Sequence, residues 1–519
     1  MFKNQPKGLI PAALSNMGER FGYYIMNAVL VLFLCSKFGL KEETSTLIYS
    51  CFYAGIYILS LVGGIIADRT QNYKGTIIRG LIIMTLGYAL LAIPILATSG
   101  NTTWLLTFTC VALFLIAFGN GLFKGNLQAI VGQLYDNPKY EAQRDSGFQI
   151  FYVFINIGGL IAPFVAPMLR SWWLDVNGMV YNADFPAMCH QFLSVTGTDA
   201  TITTDQFYAL ATKVGATSAA GLQEFATKYL EVFNTGIHYS FIASVGAMLL
   251  SLVIFIYSKK GLPSPAKREA VKSVQYTAAE KAAMAKEIKQ RMYALFAVLG
   301  IAVFFWFSFH QNGTSMSLFA RDFVDTSAVA PEIWQAVNPF FVIVLTPVIM
   351  MIFGALSSKG KEISTPKKIA IGMGIAGLGY LFLTIYSVYM DYPSGTEFRD
   401  AIKAGVSVIK SGWWVLIVYY FFMTVAELFI SPLGLSFVSK VAPKHLQGLC
   451  QGLWLGATAV GNLLLWIGPW IYNNYPIWVA WVVFLVVCFI SMGVMLGMLK
   501  WLERVTTDKP VPADAQESL

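Results

Sequence analysis

The fold is decided by residues 104–133, which read WLLTFTCVALFLIAFGNGLFKGNLQAIVGQ and carry a single charge, Lys124. An α-helix needs about 20 predominantly apolar residues to cross the hydrocarbon core of a bilayer, and this stretch is long enough. The rest of the 519-residue chain has the same character, since 56% of its residues are hydrophobic and 12% are charged. Soluble domains carry about 25% charged residues. The sequence therefore predicts an integral membrane protein.

Apolar stretches of comparable length recur along the whole chain, six before and six after a charged segment. They lie at 10–35, 46–67, 76–97, 104–133, 147–169, 237–258, 292–311, 335–356, 368–390, 412–438, 449–473 and 477–499. Two six-helix halves joined by a linker are the usual layout of transporters built from repeats, which bind their substrate between the halves. We therefore predict an all-α membrane protein with 12 transmembrane helices in two bundles.

The domain boundaries follow from these stretches. We predict a first bundle with an inserted external loop, a linker, a second bundle and a cytoplasmic tail, at 1–258 (loop 171–236), 259–291, 292–500 and 501–519. In the linker, Thr277-Ala-Ala-Glu280 has the pattern of a capping box. It precedes an amphipathic run that predicts a surface helix over 278–290. The external loop has a helical pattern over 204–234, and we expect a small helical cap there.

The orientation is predicted from Lys and Arg residues, which are enriched on the cytoplasmic side of membrane proteins. With the N-terminus in the cytoplasm, 25 of the 36 basic residues lie in cytoplasmic segments and nine in external loops. We therefore expect a multi-pass protein of the plasma membrane with both termini in the cytoplasm. The same loops account for the net charge of +8 without a nucleic-acid partner. Glu19 and Arg20 interrupt the first apolar region, so no cleavable signal peptide is predicted.

The loop after the second span carries the stretch Gly64-Ile-Ile-Ala-Asp68-Arg69. It resembles the Gly-x-x-x-Asp-Arg loop motif of the major facilitator superfamily, which implies that superfamily's fold. A carboxylate at the cytoplasmic end of a span can pair with cationic groups and hold one conformation closed. Asp68 and Arg69 are therefore the candidate conformational latch.

Ionisable side chains inside spans are costly and usually face a cavity with a function. Five such residues stand out: Glu19, Arg20, Lys124, His310 and Glu427. In the first span, four polar residues form a stripe along one helix face, because the second, third and fourth come four, seven and eleven residues after the first. The stripe consists of Asn16, Arg20, Tyr23 and Asn27.

The motifs around these residues resemble those of the proton-coupled oligopeptide transporter family, and they occur in the expected order and spans. The matching stretches are Glu19-Arg20-Phe21-Gly-Tyr23-Tyr24, Gly119-Asn-Gly-Leu-Phe-Lys124-Gly-Asn126, Phe151-Tyr152-Val-Phe-Ile155-Asn156-Ile-Gly158, Asn338-Pro339, Glu427-Leu-Phe-Ile-Ser-Pro432-Leu-Gly434 and Gln451-Gly-Leu-Trp454. The resemblance covers nearly all of the chain except the loop 171–236. It implies a secondary transporter that imports dipeptides and tripeptides with protons as the coupling ion.

The resemblance also implies roles for single residues. Glu427 is similar to the glutamate that receives the peptide ammonium, with the amides of Asn156 and Asn338 beside it. Lys124 is similar to the lysine that attracts the peptide carboxylate and takes part in proton coupling. Further pocket positions match at Tyr23, Tyr57 and Trp454, and Asn27 occupies the place of a substrate-binding cation.

Three departures from the family pattern leave proton coupling open. Asn16 replaces a glutamate, Asn27 replaces the cation, and His310 replaces an acidic residue. Histidine titrates near neutral pH, so His310 is a candidate proton carrier. The alternative is that His310 is an ordinary polar residue at the external end of a span. We assign proton coupling to Glu19 and Arg20 with Lys124 and His310, and we expect Glu19 to carry the proton.

Alternative functions remain open at this point. The same fold could carry a peptide-like or other small solute, or work as an uncoupled facilitator. A membrane receptor or intramembrane enzyme is a different class, but the sequence shows neither a Ser-His-Asp order nor a metal-ligand spacing, and we predict no enzyme, cofactor or metal. The expected partners are short peptides and the lipid bilayer. A functional monomer is expected, because 12 spans already enclose a central cavity.

Overall fold

The computed structural model describes residues 4–40, 42–97, 100–182, 185–194, 204–263, 278–325, 336–403 and 407–507. Some of the sequence-based expectations fall outside this part of the chain. Thr277, the first residue of the expected capping box, is one of them, as are residues 264–276 of the linker and residues 508–519 of the expected tail.

Twelve long helices follow one another along the described residues, and we number them α1 to α12. Their bounds are Leu9–Phe38, Glu42–Thr70, Tyr73–Ala92, Thr102–Gln133, Arg144–Val176, Leu222–Ser258, Ala278–Phe309, Val337–Ser358, Thr365–Tyr389, Trp414–Val441, Gln447–Leu463 and Ile477–Gly497. Eleven spans are long and apolar enough to cross a membrane unbroken, and α11 is one of them together with the short helix that follows it up to Asn474. The remaining one, α1, is bent by 41° between Asn27 and Val29 and completes the twelve if it is counted as one span. The predicted all-α fold is confirmed.

Several helix ends follow from local sequence. The side chain of Asn72 accepts a hydrogen bond from the amide of Gly75 at 3.0 Å and caps the start of α3. Ser364 does the same at the start of α9, where Pro366 occupies the first turn. At the end of α1, Gly39 adopts a left-handed conformation with φ of 64° that favours glycine.

Close backbone approach holds neighbouring helices together within the first bundle. Gly80 on α3 and Gly119 on α4 face each other, and a Cβ atom built on either would lie 2.6 Å from the other's carbonyl oxygen. Small residues at a helix contact let the backbones approach, which is the usual way that helices associate in lipid. These two positions therefore fix the distance between α3 and α4.

Helices α5, α6 and α7 extend furthest beyond the predicted spans. Helix α5 continues to Val176 and α6 begins at Leu222, so both enter the segment assigned to the external loop. Between them, short helices occupy Phe185–Ser194 and Thr204–Ala211. The helix expected over 278–290 runs into the seventh span as one helix, α7, because no proline interrupts residues 278–309.

Candidate functional site

The two bundles enclose a cavity of about 330 Å³. Eight of the twelve helices contribute side chains to it, four from each bundle. The predicted site residues among its lining are Arg20, Tyr23, Asn27, Tyr57, Lys124, Asn156, His310, Asn338, Glu427 and Trp454. Side chains more than 400 residues apart in sequence therefore line one space.

Glu427 on α10 is buried, with 4% of its surface exposed. Tyr152 on α5 donates a hydrogen bond from its hydroxyl to one carboxylate oxygen. The amide of Asn338 donates to the other at 2.7 Å and also contacts Thr424 at 3.0 Å. Among the described residues, Glu427 forms no ion pair with Lys or Arg. Its described partners are therefore neutral donors, and no described cation compensates the charge of this buried carboxylate.

Asn156 lies in the cavity wall but does not bond to Glu427. Its amide donates to the backbone carbonyl of Tyr152, one turn earlier on α5, at 3.0 Å. Asn156 therefore supports the residue that contacts the carboxylate. Tyr152 was missing from the predicted site, although its motif was recognised, because a tyrosine in an apolar span has no obvious polar role.

Lys124 on α4 points its ammonium at the ring of Tyr57, with 5.1 Å between the nitrogen and the ring centroid. Within the described part of the chain, no carboxylate forms an ion pair with it. A cation above an aromatic face is only partly compensated. Lys124 and Glu427 thus line one cavity from different bundles, and neither forms an ion pair with a described residue.

Glu19 and Arg20 form an ion pair inside the first bundle. Arg20 donates from Nε and Nη2 to the two carboxylate oxygens of Glu19, both at 2.6 Å. Asn120 on α4 donates to the same carboxylate at 2.6 Å. Glu19 is fully buried and is not among the residues that line the cavity, whereas Arg20 is, with its guanidinium 4.6 Å from the ring centroid of Tyr23. Because these partners occupy both carboxylate oxygens, Glu19 is engaged by Arg20 and not by Lys124.

A row of tyrosines forms one wall of the cavity. Tyr49, Tyr53 and Tyr57 are four residues apart on α2, so they share one helix face. The hydroxyls of Tyr53 and Tyr57 are 3.0 Å apart, and the ring of Tyr49 stacks on that of Tyr53. The spacing could have revealed Tyr49 and Tyr53, which the prediction omitted in favour of Tyr57 alone.

His310 follows the last residue of α7 and reaches the cavity from the second bundle. Its Nδ1 atom lies 2.5 Å from Oδ1 of Asn462 on α11. Its ring stacks on that of Trp306 with 5.0 Å between the centroids. His310 is therefore positioned by residues of its own bundle, and Asn462 was not foreseen.

Trp454 on α11 fits against α10 because Gly434 has no side chain. A Cβ atom at Gly434 would collide with the indole ring of Trp454. The glycine at the end of the Glu427 motif therefore has a packing role. It brings the buried indole to the cavity wall.

The expected latch residues lie at the end of α2, away from the cavity. We expected Asp68 to pair with cationic groups, but its carboxylate accepts hydrogen bonds from the backbone amides of Gly448 and Leu449, at 2.9 and 2.7 Å, and from the hydroxyl of Tyr73. These amides begin α11, and the N-terminus of a helix carries a partial positive charge that replaces a cation. Arg69 is exposed at the same end of α2.

The glycine of the same motif brings the two bundles into backbone contact. A Cβ atom at Gly64 would lie 2.5 Å from the carbonyl oxygen of Gly448. Only a residue without a side chain permits this approach of α2 to α11. The motif therefore joins the two bundles through Gly64 and Asp68 together.

A second polar contact joins the bundles near the start of α5. Arg144 donates to the carbonyl and the hydroxyl of Ser439 on α10, at 3.0 and 2.7 Å. The next residue, Asp145, bonds to side chains of α9 and α10. The sequence did not reveal these contacts, since charges at the end of a span are ordinary.

Two bundles of six spanning helices, with a charged cavity between them and contacts across one end, define a membrane transporter of the major facilitator type. A sequence model of the POT family matches residues 74–271 and 264–473 of this chain. The chain belongs to the POT family, and the resemblance found in its motifs is confirmed.

Named relatives agree with this family. The dipeptide and tripeptide permease B of Salmonella typhimurium is 28% identical over 473 residues, covering 89% of this chain and 86% of the relative. The peptide transporter YePEPT of Yersinia enterocolitica is 29% identical over 483 residues, covering 89% and 87%. These relatives are permeases and transporters, not enzymes.

Solved structures show the same fold. The crystal structure of a peptide transporter POT in complex with sulfate superimposes with a TM-score of 0.59 at 22% identity, covering 97% of this chain and 96% of that one. A POT family transporter in complex with 5-aminolevulinic acid gives a TM-score of 0.58 at 19% identity, covering 98% of both chains. The major facilitator fold with 12 spans is therefore confirmed.

Proposed function

We propose that this chain imports dipeptides and tripeptides across the plasma membrane by alternating access, coupled to proton symport. The observation that carries the proposal is the pair of opposite charges, Lys124 and Glu427, that line one cavity from different bundles and form no ion pair among the described residues. A short peptide is a zwitterion and supplies a partner for each. The permeases and peptide transporters among the relatives support the same class of substrate.

In the proposed binding mode, Glu427 receives the peptide ammonium. Asn338 bonds directly to its carboxylate, and Asn156 holds the backbone of Tyr152. Lys124 receives the peptide carboxylate. Tyr23, Tyr57, Asn27 and Trp454 form the walls on either side, as their places in the cavity lining suggest.

Binding then favours closure of the cavity. The ammonium site belongs to the second bundle and the carboxylate site to the first, so a bound zwitterion attracts the two bundles towards each other. A ligand shifts a conformational equilibrium only by its difference in affinity between the two states. Since both ends of the peptide are engaged only when the bundles approach, the difference favours the occluded state.

Proton coupling is proposed for the Glu19–Arg20 pair. Protonation of Glu19 removes the charge that holds Arg20, which already lines the cavity, and so adds an uncompensated cation beside Lys124. The added cation attracts the peptide carboxylate, so proton and peptide binding favour each other by linkage. His310 modulates access of protons from outside without carrying the coupling proton.

The proposed topology places both termini in the cytoplasm. The distribution of Lys and Arg supports it, and the ends that Asp68 joins then face the cytoplasm. Asp68 and Arg69 form the proposed latch of this closed end. The proposed working unit is a monomer, since one chain encloses the whole cavity.

Uptake by the purified protein in liposomes tests the proposal. An imposed proton gradient should drive accumulation of a labelled dipeptide, and free amino acids should not compete. Uptake that does not respond to the gradient would favour an uncoupled facilitator. Asn16 and His310 stand at two positions where the resemblance implies acidic residues, and both substitutions agree with that alternative. Absence of dipeptide binding and uptake would show that the cavity takes another solute.

A further inference from the structure

Asn462, near the end of α11, is held against the turn that follows α7 by a close approach of the two helices. A Cβ atom at the preceding residue, Gly461, would lie 2.7 Å from the carbonyl oxygen of Val303 and 2.9 Å from Cβ of Trp306. Only a residue without a side chain permits this approach, so Gly461 brings the next residue of α11 to the end of α7. There, Oδ1 of Asn462 lies 2.5 Å from Nδ1 of His310.

The imidazole ring of His310 is fixed in place by its own segment as well. The next residue, Gln311, is fully buried, and its Oε1 atom accepts hydrogen bonds from the hydroxyls of Thr314 and Ser315 at 2.9 and 2.7 Å. The ring itself stacks on that of Trp306, with an angle of 26° between the two planes. The ring cannot exchange the places of its two nitrogens without losing both this stacking and the contact with Asn462.

The contact with Asn462 decides which ring nitrogen of His310 carries the hydrogen. The amide oxygen of an asparagine can only accept, so Nδ1 of the histidine must donate. In the neutral ring, Nε2 is then the acceptor. No described residue forms a hydrogen bond with Nε2, and His310 lines the cavity. Nε2 is therefore the atom of this ring that can take up a proton or accept a hydrogen bond from a solute in the cavity.

We propose that Asn462 is a positioning residue for His310, which holds the ring in the tautomer with its hydrogen on Nδ1 and leaves Nε2 as the proton acceptor of this cavity wall. An amide suits this role because it is neutral. It selects the tautomer without adding a negative charge that would keep the ring protonated. The inference rests on the proposed function only where it concerns uptake, since the tautomer is a property of the empty site.

The charged groups that share the cavity with His310 are Arg20 on α1, Lys124 on α4 and Glu427 on α10. Lys124 interacts with the ring electrostatically, and no described carboxylate forms an ion pair with it. The tyrosines of the first-bundle wall also face this space. The remaining titratable groups around the turn belong to α9, α10, α12 and the short helix Ser315–Asp322, and they are Tyr380, Tyr419, Tyr420, Cys488, Arg321 and Asp322. Among the described residues, only Asn462 forms a hydrogen bond with the ring.

Nuclear magnetic resonance on the purified chain tests the tautomer without any substrate. Histidine labelled with ¹⁵N at both ring nitrogens would be incorporated, and of the four histidines the signals of His310 are those missing from His310→Ala. At a pH where the ring is neutral, Nδ1 of the parent should carry the hydrogen. In Asn462→Leu, which has a similar volume and no acceptor, the fraction with the hydrogen on Nε2 should rise about fivefold, as for the loss of one hydrogen bond. A parent ring with its hydrogen on Nε2, or unchanged fractions in Asn462→Leu, would overturn the proposal.

A second variant keeps the acceptor and changes its charge. In Asn462→Asp, a carboxylate faces Nδ1, so the pH midpoint of the His310 signals should move upward by about one unit or more. The matched control is Asn474→Asp, which adds a carboxylate at an exposed position outside the cavity lining and should leave the midpoint unchanged. An equal midpoint in Asn462→Asp and the parent would contradict the contact.

Uptake measurements separate this inference from the function. If the chain transports peptides, the pH optimum of uptake in Asn462→Asp should move in the same direction as the midpoint of the signals. With His310→Ala in the same chain, Asn462→Asp should cause no further shift, because the two residues act as one unit. An equal shift with and without His310 would refute the positioning role. Absence of peptide uptake by the parent would refute the proposed function and leave the tautomer result unaffected.

Discussion

Replacement of Glu427 by Gln should weaken peptide binding through the loss of one charge at the ammonium site. The carboxylate is 4% exposed and accepts hydrogen bonds from the hydroxyl of Tyr152 and the amide of Asn338, both neutral. The described residues supply no cationic partner to this carboxylate, and a peptide ammonium would supply one. The substitution keeps the size of the side chain and removes the charge.

The magnitude follows from the kind of bond that is lost. A hydrogen bond to a charged group contributes about 1.5–3 kcal/mol, against about 1 kcal/mol for a neutral one. At about 1.4 kcal/mol for each factor of ten, the dissociation constant of a dipeptide should rise about 10- to 150-fold. Part of any loss has a different origin, because Tyr152 and Asn338 donate to different carboxylate oxygens, and in Gln one of these oxygens is replaced by an NH₂ group that cannot accept.

A comparison of two ligands separates these contributions. Titration calorimetry on the purified protein would measure a dipeptide and its N-acetylated form against the parent, Glu427→Gln and the control Glu231→Gln. Glu231 is an exposed carboxylate on α6, a helix that contributes no residue to the cavity lining, and its removal should change neither affinity. N-acetylation should weaken binding to the parent by the predicted factor and have little further effect in Glu427→Gln. Losses that simply add, with N-acetylation costing as much in the variant as in the parent, would refute the contact between Glu427 and the amine.

Three further predictions concern the rest of the site. Lys124→Ala should abolish concentrative uptake, and amidation of the peptide C-terminus should weaken calorimetric binding to the parent; unchanged affinity for an amidated dipeptide would exclude Lys124 as the carboxylate receiver. Glu19→Gln should end proton-driven accumulation but leave peptide counterflow, whereas His310→Ala should shift the pH optimum of uptake without ending accumulation; the opposite pair of results would reverse the assignment. Gly64→Ala should lower uptake severalfold because its Cβ atom would meet the α11 backbone at 2.5 Å, while Gly246→Ala, which meets nothing within 4 Å, should transport normally.

The number and order of the spans could be read from the sequence because hydropathy acts on each helix separately. A stretch such as 104–133 needs no tertiary information to be assigned to the bilayer. The residues at which the helices end were harder to predict. Helices α5, α6 and α7 continue past the apolar stretches into polar sequence, where hydropathy ends but nothing in the sequence stops a helix.

The charged part of the cavity could also be predicted, because ionisable residues inside spans are few and each demands an explanation. Neutral partners such as Tyr152, Asn120 and Asn462 carry no comparable signal. Their roles depend on which side chain lies opposite, and that is set by the packing of helices from different parts of the chain. Asp145 escaped notice for another reason, since a carboxylate at the start of a span is an ordinary feature of a membrane protein.

In the proposed mechanism, the pairing of side chains within the first bundle decides where a proton can act. Asn16 lines the cavity as a neutral residue where the family has a carboxylate, so the described residues leave Lys124 to find its counter-charge in the substrate. Glu19 is bound to Arg20 and Asn120 behind the cavity wall, and its protonation would change the charge of the cavity through Arg20. In this proposal, a proton on Glu19 affects the peptide carboxylate through Arg20 and not by direct contact. With the neutral Asn16 in the cavity wall, the proposal therefore assigns the linkage between proton and peptide binding in this bundle to the Glu19–Arg20 pair.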